Sequence, residues 1–193
     1  MEVEEIREEV REELESSAAR ERWIGYLALT AVILAVCATL SSFKEGNNSV
    51  DSVLNQTQAA NQWAYYQAKS IKGYLYEMQN QKLGFDLIAL GQSASPEVIE
   101  EIKKTRLFYD ESIKRYDEEK KGIMAQAREY ERLRDDAQRR AESYGIAVIF
   151  LQMGILLCSL SALMKRKLLW LAGGIVGIVG VVYFVDGFFL FMR

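Results

Sequence analysis

The sequence predicts an all-α membrane protein: three transmembrane helices, with a long antiparallel, coiled-coil-like helical hairpin between the first and second spans. Three observations carry this expectation. Uncharged, mostly apolar stretches occur at Trp23–Phe43, Gly145–Met164 and, apart from Asp186, Leu168–Met192. In the segment Lys44–Tyr144, apolar or aromatic residues recur every seven positions. The chain's only proline sits in a turn-rich run, Gly91–Pro96, near the middle of that segment.

The chain opens on residues 1–22, which hold nine glutamates and set Val3, Ile6, Val10 and Leu14 on one helical face. That spacing suits an amphipathic helix. Anionic lipid repels an acidic helix, so the leader is expected to project into the cytoplasm. There it would pair with its symmetry mates or a cytoplasmic partner; the alternative is a solvated, partly frayed leader. A long acidic leader is unlike the short basic start of a signal peptide, so the first span reads as an anchor that stays.

Half of the 193 residues are hydrophobic and 26% are charged, an average that hides their segregation. Each uncharged stretch reaches the ~18–20 residues needed to cross a bilayer core of about 30 Å. The first carries small residues at Ala28, Ala31, Ala35 and Ala38, and the third at Gly173, Gly174, Gly177 and Gly180. Small residues let helix backbones approach closely, which predicts a tight bundle continuing between subunits. Cys37 and Cys158 lie in antiparallel spans at depths differing by on the order of 10 Å, beyond disulfide reach. They read as small apolar fillers.

The link between the second and third spans is Lys165-Arg166-Lys167, and short basic loops stay cytoplasmic. The resulting topology has the N-terminus inside and the hairpin outside. Arg128, Arg132, Arg134, Arg139 and Arg140 stand against it, although loops much longer than ~60 residues translocate largely regardless of charge.

In the first arm, Val50, Thr57, Ala64, Ile71, Met78 and Phe85 are spaced by seven. In the second, Ile102, Tyr109, Tyr116, Ile123, Tyr130 and Ala137 are spaced likewise, after a Ser95-Pro96 helix start. Folding at Gly91–Pro96 sets Phe85 against Ile102, Met78 against Tyr109 and Ile71 against Tyr116. Ala64 then meets Ile123, Thr57 meets Tyr130 and Val50 meets Ala137. These twelve residues form the expected hairpin core, with small side chains often opposite large ones.

This assignment turns Tyr65, Tyr66 and Tyr76 outward. Three readings stand: exposed tyrosines needing no explanation, an interface with another copy, or a ligand-binding aromatic face. Asp186 is the only acid in a span, read either as an interfacial hydrogen-bonding group or as part of a carboxylate ring lining a cation path.

The chain contains no histidine, so histidine-based triads and imidazole metal sites are excluded. There is no phosphate-binding glycine loop, and a net charge of −3 without a basic face speaks against nucleic acid. No catalytic residue, metal ligand or cofactor is expected.

The run QWAYYQAKSIK (Gln62–Lys72), after an acidic leader and an alanine-rich first span, resembles a bacterial membrane family known as domain-of-unknown-function family 4337. The resemblance covers most of the chain, and QWAYYQAKS is its most specific piece. Members of that family carry histidine-rich acidic leaders; this chain has no histidine, so a metal-related role for the leader does not carry over. The resemblance implies the same architecture and a prokaryotic setting, and no activity. The function expected is that of a homo-oligomeric scaffold of the bacterial inner membrane, with the lipid bilayer and its own copies as partners. Tyr65, Tyr66, Tyr76, Ala28, Ala31, Ala35, Ala38, Gly173 and Gly177 are the candidate interface. The alternative is an oligomeric channel or transporter component lined by the third span and Asp186.

Overall fold

The computed structural model describes residues 2–91 and 95–191, with side chains at Arg7, Arg11 and from Glu21 onward. The leader side chains Val3, Ile6, Val10 and Leu14 lie outside the described residues. Three helices make up the fold: α1 (Glu2–Leu90), α2 (Pro96–Met164) and α3 (Lys167–Phe189). All three contain a stretch long and apolar enough to cross a membrane. No glycine or asparagine in Glu45–Asn48 breaks α1; the Asn48 amide instead donates 2.7 Å to the Lys44 carbonyl one turn back. The start of α2 is capped by Ser95, whose hydroxyl and carbonyl both accept from the Val98 amide.

Two compact units form: Met1–Val50 with Asp136–Arg193, and Asp51–Asp135. In the first, Leu27, Leu34 and Ala38 of α1 pack with Ala147, Leu151 and Cys158 of α2, and Trp170 and Phe184 of α3 close the cluster. These buried positions recur at helical spacing, while Leu29, Val32, Ile33 and Val36 between them are exposed. Apolar side chains outside as well as inside are what a bilayer solvent permits.

Glycine sets how closely these helices approach. A Cβ on Gly177 would lie 2.7 Å from Leu34 Cδ2, and one on Gly180 would lie 2.9 Å from the Leu151 backbone nitrogen. Gly154 and Gly173 face each other in the same way, each within 3.0 Å of the other's carbonyl oxygen. The expectation that Gly173 and Gly177 serve contacts between subunits is therefore corrected. Their open faces are filled within the chain. The alanines of the first span divide likewise: Ala38 is buried and Ala31 half-buried in this core, whereas Ala28 and Ala35 are exposed. Four small residues read as one seam are two faces, because positions seven apart, not three, share a side here. Cys37 and Cys158 are both free thiols.

In the second unit, partners fall in number along α2 as they rise along α1. Gln56 accepts from Arg134, Trp63 donates to Glu131, Lys69 pairs with Glu119 and Asn80 bonds Asp110. The face of α1 that meets α2 is not the expected one. Ala59 and Gly73 are buried and Tyr66, Tyr76 and Leu83 half-buried, all spaced by seven or by three or four. Ile71, Met78 and Phe85 are instead 67%, 63% and 70% exposed, and Thr57 and Ala64 are exposed too. Val50, in the first unit, is 58% exposed.

The displacement is small along the axis and large around it. Gly73, not Ile71, lies against Tyr116, where an added Cβ would stand 3.7 Å from the Tyr116 Cβ, and Tyr76, not Met78, meets the Tyr109 ring at 5.5 Å. Two residues turn an α-helix through about 200°. The expected core of α1 is thereby its outer surface. On α2, Ile123 and Ala137 are buried, and Ile102, Tyr109, Tyr116 and Tyr130 are half-buried.

Gly180→Val should lower stability in detergent by about 1–3 kcal/mol, read as a lower unfolding midpoint, because one of the obstructing atoms is the Leu151 backbone nitrogen, which cannot turn away. Gly174→Ala, where nothing lies within 4 Å, should leave the midpoint unchanged in the same thermal-unfolding assay.

Candidate functional site

Three places concentrate polar or unsatisfied surface. The first is the seam of the second unit. Asn80, 9% exposed, donates its amide to Asp110 Oδ1 at 2.6 Å and accepts from Arg106 Nε at 2.9 Å. A buried amide requires such partners, since leaving it unpaired costs roughly 1–3 kcal/mol. One turn away, Tyr76 stacks on Tyr116 at 5.7 Å and meets Phe108 and Tyr109 at 6.3 and 5.5 Å. Tyr66 and Tyr76 thus point toward α2, correcting the outward placement; only Tyr65 of the three is exposed, at 50%.

The Lys69 ammonium lies 2.6 Å from Glu119 and 5.3 Å above both the Tyr65 and Tyr116 rings. The hydrogen bond from Lys69 holds the Glu119 carboxyl below its ordinary 4.5, and the same bond raises Lys69 above its ordinary 10.5. The carboxylate's contribution is complete above about pH 4.5 and is lost as pH falls through the lowered value. The ammonium's is complete below its ordinary value and is lost as pH rises through the raised one. The pair is therefore intact throughout the neutral range.

A cavity of about 370 Å3 opens beside this seam, lined by Gly73, Tyr74, Asp110, Ile113 and Lys120. Asp110 there is engaged with Asn80, and Lys120 with Asp117 at 2.7 Å and the Tyr74 ring at 5.8 Å, while Glu77 and Gln81 also line the cavity. That arrangement braces two helices and presents no nucleophile paired with a base.

The second place is the end of α3. Asp186 is 2% exposed and accepts from the Ser143 hydroxyl at 2.7 Å, while its backbone oxygen takes the Leu190 amide at 2.6 Å. Arg140 donates to the Gly187 and Phe188 carbonyls at 3.1 and 2.7 Å. A cation on the last carbonyls of a helix satisfies groups that have no intrahelical donor and opposes the helix dipole. Tyr144 packs over the glycine beside it, its ring within 2.5 Å of where a Gly187 Cβ would stand. The candidate path-lining acid is thus part of a buried joint between α2 and α3. Asp186 and Ser143 also line a groove of about 950 Å3, together with Asp136, Arg139, Glu142, Tyr183 and Phe189, among others.

The third place is the outer face of α1 in the second unit. Leu54, Ile71, Leu75, Met78 and Phe85 are all more than half exposed there, in a run of heptad spacing. Among the described residues, no helix covers it. Among the described residues, no group of three or more cysteine or acidic side chains is placed to hold a metal ion.

Sequence reasoning missed Gly73, Asn80, Arg106, Asp110 and the Arg140–Ser143 joint. A signal existed for the first two: Ser52, Ala59, Tyr66, Gly73, Asn80 and Leu87 form a second heptad column, polar and small, beside the apolar one.

Residues 23–190 match the family model described as a domain of unknown function, DUF4337, and the chain belongs to that family. No curated protein and no solved structure is significantly similar to it.

Asn80→Ala should destabilise the second unit by about 1–3 kcal/mol in denaturant unfolding, since Asp110 and Arg106 both lose a partner. With Asp110→Ala the two losses should fall short of additive. Glu119→Gln should flatten the loss of stability as pH falls below about 4.5 and through the lowered folded-state value, in a midpoint-versus-pH series.

Proposed function

We propose that this member of the DUF4337 family is a membrane-anchored structural protein that assembles with copies of itself, its three spans anchoring a helical hairpin that carries the contacts. One observation supports this above the others: a largely apolar heptad stripe lies exposed along α1, on the side away from α2. A contiguous exposed stripe of this kind marks an interaction site, whereas isolated exposed apolar residues need no explanation. The flanks hold glutamines, alanines and tyrosines, which add hydrogen-bonding and apolar area with little charge.

The reading places the amino end in the cytoplasm and the hairpin outside, in the inner membrane of a bacterium, on the strength of the basic Lys165–Lys167 link. Three of the five arginines that stand against this orientation have local partners. Arg132 pairs with Glu129, Arg134 with Gln56 and Asp135, and Arg140 with the α3 carbonyls. They need no cytoplasmic location to account for them. The channel reading has less support: Asp186 lines a groove with Arg139 and Glu142, but it is 2% exposed and held by Ser143.

Native mass in nanodiscs tests the proposal. The wild-type particle should exceed one chain, and Ile71→Glu combined with Met78→Glu should reduce it to a single chain with its helicity retained. A wild-type particle of one chain, or a variant of undiminished mass, would remove the reading.

A further inference from the structure

We infer that the occupant of the exposed α1 stripe is the same stripe of one second copy, laid parallel and in register as a two-stranded coiled coil. This rests on the self-assembly reading and specifies its geometry. Alternating steps of three and four define two columns: Leu54, Asn61, Ala68, Leu75 and Lys82, then Thr57, Ala64, Ile71, Met78 and Phe85. All ten positions are exposed. In coiled-coil notation the first column occupies a and the second d, sustained for more than four heptads.

Two features narrow the choice of partner. The a column is apolar or small except at Asn61 and Lys82, and a polar residue at an a position favours two strands and fixes their register. An Asn61 side chain on an apolar seam finds a complementary amide only if the facing residue is also Asn61, which requires parallel strands without slippage. Lys82 can lay its stem along the seam and hold its ammonium at the rim, where Asp86 follows one turn later.

The flanks agree. In a parallel pair each g residue faces the e residue five positions on in the partner. That sets Val53 against Gln58, Ala60 against Tyr65, Gln67 against Lys72, Tyr74 against Gln79 and Gln81 against Asp86. No pair opposes like charges. The orientation also follows from the anchor. Two copies inserted the same way in one bilayer present α1 in the same direction, so antiparallel pairing would need opposed membranes.

The geometry has a consequence for the helix as a whole. Because two residues rotate the helix by about 200°, the α2-facing column through Gly73 and the exposed columns through Ile71 and Leu75 occupy opposite sides of α1. One helix can thus serve both partners at once, with α1 of each copy inside and α2 outside.

Crosslinking of the full chain in membrane vesicles tests this, using a background in which Cys37 and Cys158 are replaced by Ala. Leu54→Cys alone and Phe85→Cys alone should each form a disulfide-linked dimer with itself under mild oxidation. Co-expressed, the two variants should give no mixed Leu54→Cys to Phe85→Cys product. In the wild-type background, Asn61→Leu should raise the native mass above two chains, because the residue that restricts strand number is gone. An assembly of undiminished mass without either self-crosslink would overturn the parallel geometry and leave the self-assembly reading standing. A mixed crosslink would do the same, in favour of antiparallel pairing. A one-chain native mass of the wild-type would overturn both.

Discussion

The rotational setting of α1 against α2 in the second unit governs everything that can be said about the surface of this protein. Polar groups fix it. Asn80 requires Asp110 and Arg106, Trp63 requires Glu131, and Lys69 requires Glu119; these bonds form only when the column through Ala59, Gly73 and Asn80 faces inward. Packing agrees with the constraint, since Gly73 lies against Tyr116, where an added Cβ would reach ordinary contact at 3.7 Å. Burying the apolar column instead would gain hydrophobic contact but strand several polar and charged groups of α2 without partners. The penalty for unpaired buried groups exceeds the gain from a few half-exposed aliphatic side chains.

That constraint explains where sequence reading worked and where it did not. The spans were legible because length and absence of charge are local properties, and three helices of the required length and apolarity are present. The turn around Gly91 and the helix start at Ser95 were legible through glycine and proline chemistry, and Gly91 does adopt a positive φ of 50°. The first arm carries two heptad columns, one apolar and one polar, and periodicity alone ranks the apolar one as core. The correct ranking depends on bonds to residues 26 to 68 positions away, which no window along the chain contains. Small residues in the spans announced close approach but not to whom: Gly177 is spent on Leu34 and Gly180 on Leu151.

The end of α3 shows the same principle at shorter range. A lone acid in an apolar span invites a reading in terms of ion conduction. Here Asp186, Ser143 and Arg140 together finish a helix, one through its carboxylate, one through its hydroxyl and one by donating to terminal carbonyls. Three of the five arginines near the second span, awkward for the membrane topology, acquire local partners once the helices are placed. Charge near a membrane can record where a helix stops as well as which side it faces.

The energetic logic of the exposed stripe follows from the first constraint. Because the polar column must face α2, the apolar column is left without a partner among the described residues, and burying it elsewhere becomes favourable. At roughly 25 cal/mol per Å2 of apolar surface, several side chains more than half exposed form a driving force that grows with each turn. In a membrane the anchors already restrict both copies to two dimensions and one orientation, so association loses less freedom than it would in solution. A helix with a polar inner face and an apolar outer face is the reverse of a soluble design, and it makes sense where the outer face has a partner of its own. The polar seam makes the subunit; the apolar one is left for the neighbour that we propose.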